Sequence, residues 1–176
     1  MQSAATCVLS VAILAGAIVP AATTPYGGAS AFFNKTFVVT FDLGLNYQLI
    51  AGDSNVESRF YVSSDGEVFF YPDSTEKSDC SGSGGPATRV NQVRTTSHIC
   101  NGVSVVTTSS VNISGDVLTY TETRLVTSPS AKNTSRTQRA YSFRFDGRTC
   151  EALRYIVEGI LMSPVSCSVE DGNTAG

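Results

Sequence analysis

Between residues 37 and 49 every odd position is apolar or aromatic: Phe37, Val39, Phe41, Leu43, Leu45, Tyr47 and Leu49. Thr40, Asp42, Asn46 and Gln48 fall between them. A period of two places alternate side chains on opposite faces of a strand, so this run has to bury one face of a β-sheet. At ~3.3 Å per residue it would extend about 43 Å, longer than most strands, and Gly44 is the expected place for a bend or bulge.

The pattern recurs down the chain with turn residues between its copies. Arg59-Phe60-Tyr61-Val62 and Glu67-Val68-Phe69-Phe70-Tyr71 flank Ser63-Ser64-Asp65-Gly66, where Asp-Gly offers the positive φ that a tight hairpin needs. After an Asp/Ser/Gly-rich loop over residues 72–86, β segments are expected over 89–96 and 97–100. Asn101-Gly102 then turns into 103–113, where Val103, Val105, Thr107, Ser109, Val111 and Ile113 share a face. Ser114-Gly115-Asp116 leads into a Thr- and Tyr-rich strand over 117–127. Residues 128–135 contain Pro129 and read as a loop. From 136 to 145 Arg139, Tyr141, Phe143 and Phe145 lie on one side, with Ser142 and Arg144 on the other, and Asp146-Gly147 turns onward. Leu153, Ile156, Val157, Ile160 and Leu161 fit a helical stripe, but Leu153, Tyr155 and Val157 also alternate, and a strand over 149–157 follows an Asp-Gly turn more naturally. A short last strand is expected over 165–169. The fold class is therefore all-β: a single antiparallel meander of about eight strands, closed or nearly closed into a β-barrel, with a β-sandwich as the alternative.

Length and charge narrow the classes further. The 176 residues suffice for one domain with its own core. With 15% charged residues and a net charge of −3, the chain is a poor candidate for a coiled coil, a basic nucleic-acid binder or a charge-driven disordered protein.

Residues 1–22 carry no ionisable side chain, and residues 8–19 (VLSVAILAGAIV) have the length of a signal-peptide apolar region. Cleavage is expected after Ala21 or Ala22, with Ala17 as a second site and an uncleaved anchor as the alternative. The run is shorter than the ~20 residues that span a bilayer, and no later stretch is apolar enough to do so. Localisation is then periplasmic or secreted. Residues 23–34 read as a flexible N-terminal arm, 35–170 as the single β domain, and 171–176 as a frayed tail. Removing the leader removes Cys7 and leaves Cys80, Cys100, Cys150 and Cys167 for an oxidising compartment. Two disulfides are expected, and the sequence-local pairing of Cys80 with Cys100 and of Cys150 with Cys167 is favoured over the other two connectivities. Each would contribute roughly 3 kcal/mol in the chain-entropy account.

Asn34-Lys35-Thr36-Phe37-Val38-Val39, the hairpin Tyr61-Val62-Ser63-Ser64-Asp65-Gly66-Glu67-Val68-Phe69, the turn Phe145-Asp146-Gly147-Arg148-Thr149-Cys150 and the end Ser166-Cys167-Ser168-Val169-Glu170-Asp171-Gly172-Asn173 together resemble a family of small exported proteins of rhizobium-like α-proteobacteria. The chain departs from that family in its additional Cys80 and Cys100 and in a shorter segment between Cys150 and Cys167. The resemblance implies export and a β-rich fold, and it implies no activity.

No motif fixes a reaction. His98 is the sole imidazole, which leaves one candidate base for a Ser-His-Asp device, and no Gly-x-Ser-x-Gly elbow accompanies it. A zinc site lacks Cys-x-x-Cys spacing. Asp65/Glu67, Glu122 and Glu151/Glu158 are the carboxylates from which a glycosidase pair could be drawn, but there is no Trp for a sugar platform. Asp53-Ser54-Asn55-Val56-Glu57 offers calcium-like oxygens, yet Ser58 stands where that loop needs Gly. Lys132, Arg136, Arg139, Arg144, Arg148 and Arg154 could meet an anionic partner, or could simply face solvent along strands. Asn34, Asn112 and Asn133 begin N-glycosylation patterns. The sequence-based expectation is thus a non-enzymatic exported barrel that binds a small apolar ligand or a cell-envelope component, with no cofactor, metal or nucleic acid. An envelope-acting hydrolase or lyase is the second reading, and a structural or inhibitor-like module using the 72–86 loop is the third.

Overall fold

The computed structural model describes residues 28–44, 55–72, 87–100, 102–128 and 133–175, with the side chains of Cys100 and Asn133 outside that description. Among these residues a 3-10 turn, Ala29–Phe32, precedes ten strands: β1 Lys35–Asp42, β2 Asn55–Val62, β3 Glu67–Tyr71, β4 Thr88–Arg89, β5 Gln92–Cys100, β6 Val103–Ser114, β7 Val117–Ser128, β8 Asn133–Phe145, β9 Cys150–Val157 and β10 Ile160–Asp171. They form one antiparallel sheet in the order β4-β3-β2-β1-β10-β9-β8-β7-β6-β5. The architecture is a nearly closed barrel, and a single curled sheet replaces the sandwich alternative.

Among the described residues the strand count is ten rather than about eight. The expected segment over 89–96 divides at Val90-Asn91 into β4 and β5, and β5 then runs unbroken through Cys100. That corner brings the two ends of the sheet together. The Val90 amide donates to Gly66 O at 2.9 Å, and the next amide, on Asn91, donates to Val111 O at 2.8 Å. Consecutive amides thus reach opposite margins, with Asn91 held at φ +62. Beside them Thr88 Oγ1 and Ser109 Oγ share a hydrogen bond of 2.5 Å between β4 and β6.

Period two holds where it was clearest. Phe37, Val39 and Phe41 are wholly buried, as are Phe60 and Val62 on β2. The expected first strand is shorter than its pattern: β1 stops at Asp42, whose Oδ1 accepts from the Gly44 amide at 2.8 Å, and Gly44 takes φ +71. Leu45, Tyr47 and Leu49 lie outside the described residues. β2 starts at Asn55, four residues before the expected run, because pairing with β1 is complete from Lys35↔Val62 to Asp42↔Asn55.

The ambiguous C-terminal segment is strand throughout. β9 and β10 pair at Val157↔Ile160, Leu161↔Ile156 and Met162↔Tyr155, around a turn in which Glu158 and Gly159 both have positive φ. Beyond that pairing, β10 joins β1 instead, and both strands bulge, β9 between its partners Arg154 and Ala152 and β10 between Pro164 and Ser166. Pro164 cannot donate to a ladder, which suits such an interruption. Cys150 and Cys167 stand opposite one another in the register of the hairpin, with Cα atoms 5.3 Å apart, and their disulfide ties the strands past the bulges. The cross-link closes a loop of 17 residues, worth about 3 kcal/mol. It is the one disulfide among the described residues. Cys80 lies outside them, and so does its expected pairing with Cys100.

Both ends of the β domain are packed. Phe32, assigned by sequence to the N-terminal arm, is wholly buried against Phe37, Phe143 and Phe145. At the other end Thr36 Oγ1 donates to Gly172 O at 2.7 Å and accepts from the Thr174 amide at 3.1 Å, while Arg59 reaches Thr174 O at 3.3 Å. These bonds hold the segment read as frayed. The leader, residues 1–22, lies outside the described residues. Among the described residues no helix is long and apolar enough to cross a membrane.

Candidate functional site

The interior changes chemistry along its length. Following hydrogen-bonded partners across the sheet, one row of inward positions reads Val111, Tyr120, Tyr141, Tyr155 and Met162. All five are at most 3% exposed. Tyr141 and Tyr155 stack at 4.1 Å with 9° between their planes, and Phe60 contacts Phe70, Tyr120, Tyr141 and Phe143 at 4.9–5.5 Å. Aromatic rings therefore fill this part of the barrel, from Phe32 across to Tyr155. Such packing, at ~0.5–1.5 kcal/mol per ring pair beyond area burial, leaves side chains rather than a ligand as the occupants.

Two residues further along the same strands the inward row is Ser109, Glu122, Arg139 and Val157. Glu122 Oε1 meets Arg139 Nε at 3.1 Å, with side chains 8% and 10% exposed. Glu122 Oε2 accepts from the Tyr120 hydroxyl at 2.8 Å, and the guanidinium of Arg139 lies 5.6 Å from the Phe70 ring centroid. Burial, reinforced by the negative charge of Glu122, pushes the Tyr120 phenol well above its ordinary pKa. Removing two charges from water costs several kcal/mol per ion, and close contact, the phenol hydrogen bond and the aromatic face of Phe70 offset part of it. One row further the partners are Thr96, Thr107, Arg124 and Thr137, so hydroxyls and a second arginine follow. Below the pair, Ser58 Oγ donates to Tyr141 Oη at 3.1 Å. A surface depression of about 380 Å³, lined by Glu122, Arg139, Thr121, Thr123, Gln138 and Ile156 among others, borders the same stretch of β7 and β8.

The other sequence candidates are scattered. His98 lies on the edge strand β5, paired in register with Val105. Asp65 sits in the β2–β3 turn, where the Ser63 hydroxyl at 2.5 Å, and secondarily Arg89 at 3.4 Å, hold its pKa below the usual value. Glu67 follows it on β3. Glu151 pairs with Arg144 at 3.2 Å, and Glu158 accepts from the Gln138 amide at 2.8 Å at the β9–β10 turn. Of the calcium-like run, Asp53 and Ser54 are outside the described residues, and Glu57 pairs with Arg59 at 3.0 Å. The basic stretch does not form one face: Arg144 also bonds Asp116, Arg136 and Arg154 are exposed on strands, and Lys132 is outside the described residues. Asp146 instead organises the β8–β9 turn, accepting from the amides of Thr149 and Arg148 at 2.7 and 2.8 Å, which lowers its pKa. Among the described residues no three His, Cys, Asp or Glu side chains gather as metal ligands.

Sequence reasoning had Glu122 as one carboxylate among several and Arg139 as one of a solvent-facing series. The signal that joins them was phase. Arg139 alternates in step with Tyr141, Phe143 and Phe145, and Glu122 with Leu118 and Tyr120. A charge in phase with core aromatics on two adjacent strands is an inward ion pair once the register is known.

Fold and site together define an all-β, barrel-shaped protein with an aromatic core that ends in a buried Tyr-Glu-Arg cluster. Comparison of the chain with family models, with curated proteins and with solved structures gives no match.

Proposed function

We propose that the protein is a non-enzymatic binding module of the exported compartment, and that it takes a polar component of the cell envelope at the hydroxyl-lined end of its interior. The leader-like residues 1–22 and the resemblance to exported proteins support the compartment. The observation that carries the ligand class is the change, within two residues on β6, β7 and β8, from Val111, Tyr120 and Tyr141 to Ser109, Glu122 and Arg139. A barrel built to hold a small apolar ligand would keep its apolar surface open, whereas here the rings consume it. Polar groups beyond the rings offer hydroxyl donors and a guanidinium to a ligand rich in hydroxyl or acidic groups.

The hydrolase or lyase reading draws less support. Glu122 is engaged by both Arg139 and Tyr120, while Asp65, Glu151 and Glu158 have partners of their own on turns and outer strand positions.

Titrating isotope-labelled protein with soluble peptidoglycan fragments, and separately with lipopolysaccharide core oligosaccharide, tests the reading. Chemical-shift changes are expected at Thr107, Arg124, Thr137 and Arg139 with one of the two. Absence of shifts with both probes overturns the proposal, as do shifts confined to other residues. Release of new reducing ends from either probe would instead establish the enzymatic alternative.

A further inference from the structure

The geometry of β5 points to a second copy of this chain as its partner: we infer that two molecules pair edge to edge through antiparallel β5 strands, with Thr96 on the two-fold axis. The inference is independent of the ligand reading above. Among the described residues β5 is the last strand of the sheet, and most of its residues are exposed on both faces. Val93 is 70% exposed and Ile99 79%, the two most exposed of the large hydrophobic side chains.

Register decides which backbone groups of β5 face away from β6. Cys100 pairs with Val103 only three residues on, the spacing of a hydrogen-bonded pair, and alternate residues Cys100, His98, Thr96, Arg94 and Gln92 direct their amides and carbonyls to β6. The groups of Val93, Thr95, Ser97 and Ile99 then point to the outer edge. An antiparallel pairing centred on Thr96 sets Val93 opposite Ile99 and Thr95 opposite Ser97 of the other copy, and each of these is an outward-pointing residue. Four such pairs exchange about eight backbone bonds. The same register sets the apolar Val93 on the apolar Ile99 at both ends, on the outer face, with hydroxyls between. No other centre on this strand matches those two side chains to each other.

Natural edge strands are commonly blunted by Lys, Pro or inward charge; residues 92–100 contain no Pro, Lys or acidic residue, and the guanidinium of Arg94, in phase with the inward positions, is held by the Ala87 carbonyl at 2.5 Å rather than at the outer edge. The neighbouring outer face adds little repulsion: Ser104, Val106, Thr108 and Ser110, which flank it on β6, are uncharged, and Thr95 and Thr108 already hydrogen-bond at 3.0 Å. The contact is isologous, as a two-fold dimer requires.

Sedimentation of the intact chain tests this. A strand-pair interface lies below the ~1,200 Å² of tight complexes, so association is expected at about 100 µM and dissociation on dilution. Ser97→Pro removes an outward amide and should leave the β5–β6 ladder whole, and the pair Val93→Lys and Ile99→Lys charges the contact without touching the backbone. Both are expected to sediment as monomers with unchanged circular dichroism. If Ser97→Pro unfolds, the lysine variant alone decides. Thr96→Cys is expected to give a reducible covalent dimer. A wild type that stays monomeric at about 500 µM overturns the inference, whether or not it captures a foreign extended peptide, and so does a folded lysine variant that dimerises as wild type does.

Discussion

The aromatic row and the polar row of the interior lie on the same strands two residues apart, and both are nearly closed to solvent. Tyr120 and Tyr141 are 2% and 1% exposed, and Glu122 is 7%. Burial alone therefore does not distinguish them. In the first row stability comes from area removed from water and from ring contacts, and the surroundings can relax around a loss only in part. In the second it depends on compensation of charge: each ion is tolerated because the other is present. The contrast shows that a continuous strand pattern can enclose two energetically different interiors, one built on ring packing and one on a pair of opposite charges.

Substitutions can break that comparison, and the largest effect belongs to the rings. Phe60→Ala removes a wholly buried side chain that touches four others, and a loss of about 4 kcal/mol in unfolding free energy is expected by denaturant titration. A loss below about 1 kcal/mol would mean that the rings do not pack as described. Next comes Glu122→Leu, which strands Arg139 and should cost about 3 kcal/mol, while Glu122→Leu combined with Arg139→Met should recover most of it. Additive losses in the double variant would show that the two charges are not coupled. The smallest effect concerns Tyr120. Its folded pKa is raised, so the unfolded chain releases this proton first as pH rises. The associated stability is fully present below about pH 10 and falls progressively above it. Tyr120→Phe should cost ~1 kcal/mol at neutral pH for the lost hydrogen bond, but should show a shallower alkaline decline than wild type in melting experiments.

Much of the fold was legible because turn residues and alternation are local. Asp65-Gly66, Gly102, Gly115-Asp116 and Asp146-Gly147 all fall between strands, and the inward sets Phe37/Val39/Phe41 and Tyr141/Phe143/Phe145 are buried. The misreadings share a cause in long-range pairing. A two-residue strand such as β4 has no pattern of its own and exists because β3 offers Glu67↔Arg89 and Val68↔Thr88. Phe32 sits in a small-residue segment with no period, and only the gap beside Phe37, Phe143 and Phe145 gives it a place. For the site, the identities of Glu122 and Arg139 were visible and their proximity was not.

From its sequence alone the chain is an all-β meander with alternating faces, low charge and four cysteines beyond the leader-like segment. These follow from residue chemistry and near neighbours, since the side-chain period and turn preferences act over a few residues. Only the tertiary structure decided that the sheet curls until consecutive amides at Val90 and Asn91 bind opposite margins, that Cys150 faces Cys167 across an interrupted ladder, and that Glu122 meets Arg139 inside. Each of these depends on register between strands, and register is settled by the packing of the whole sheet.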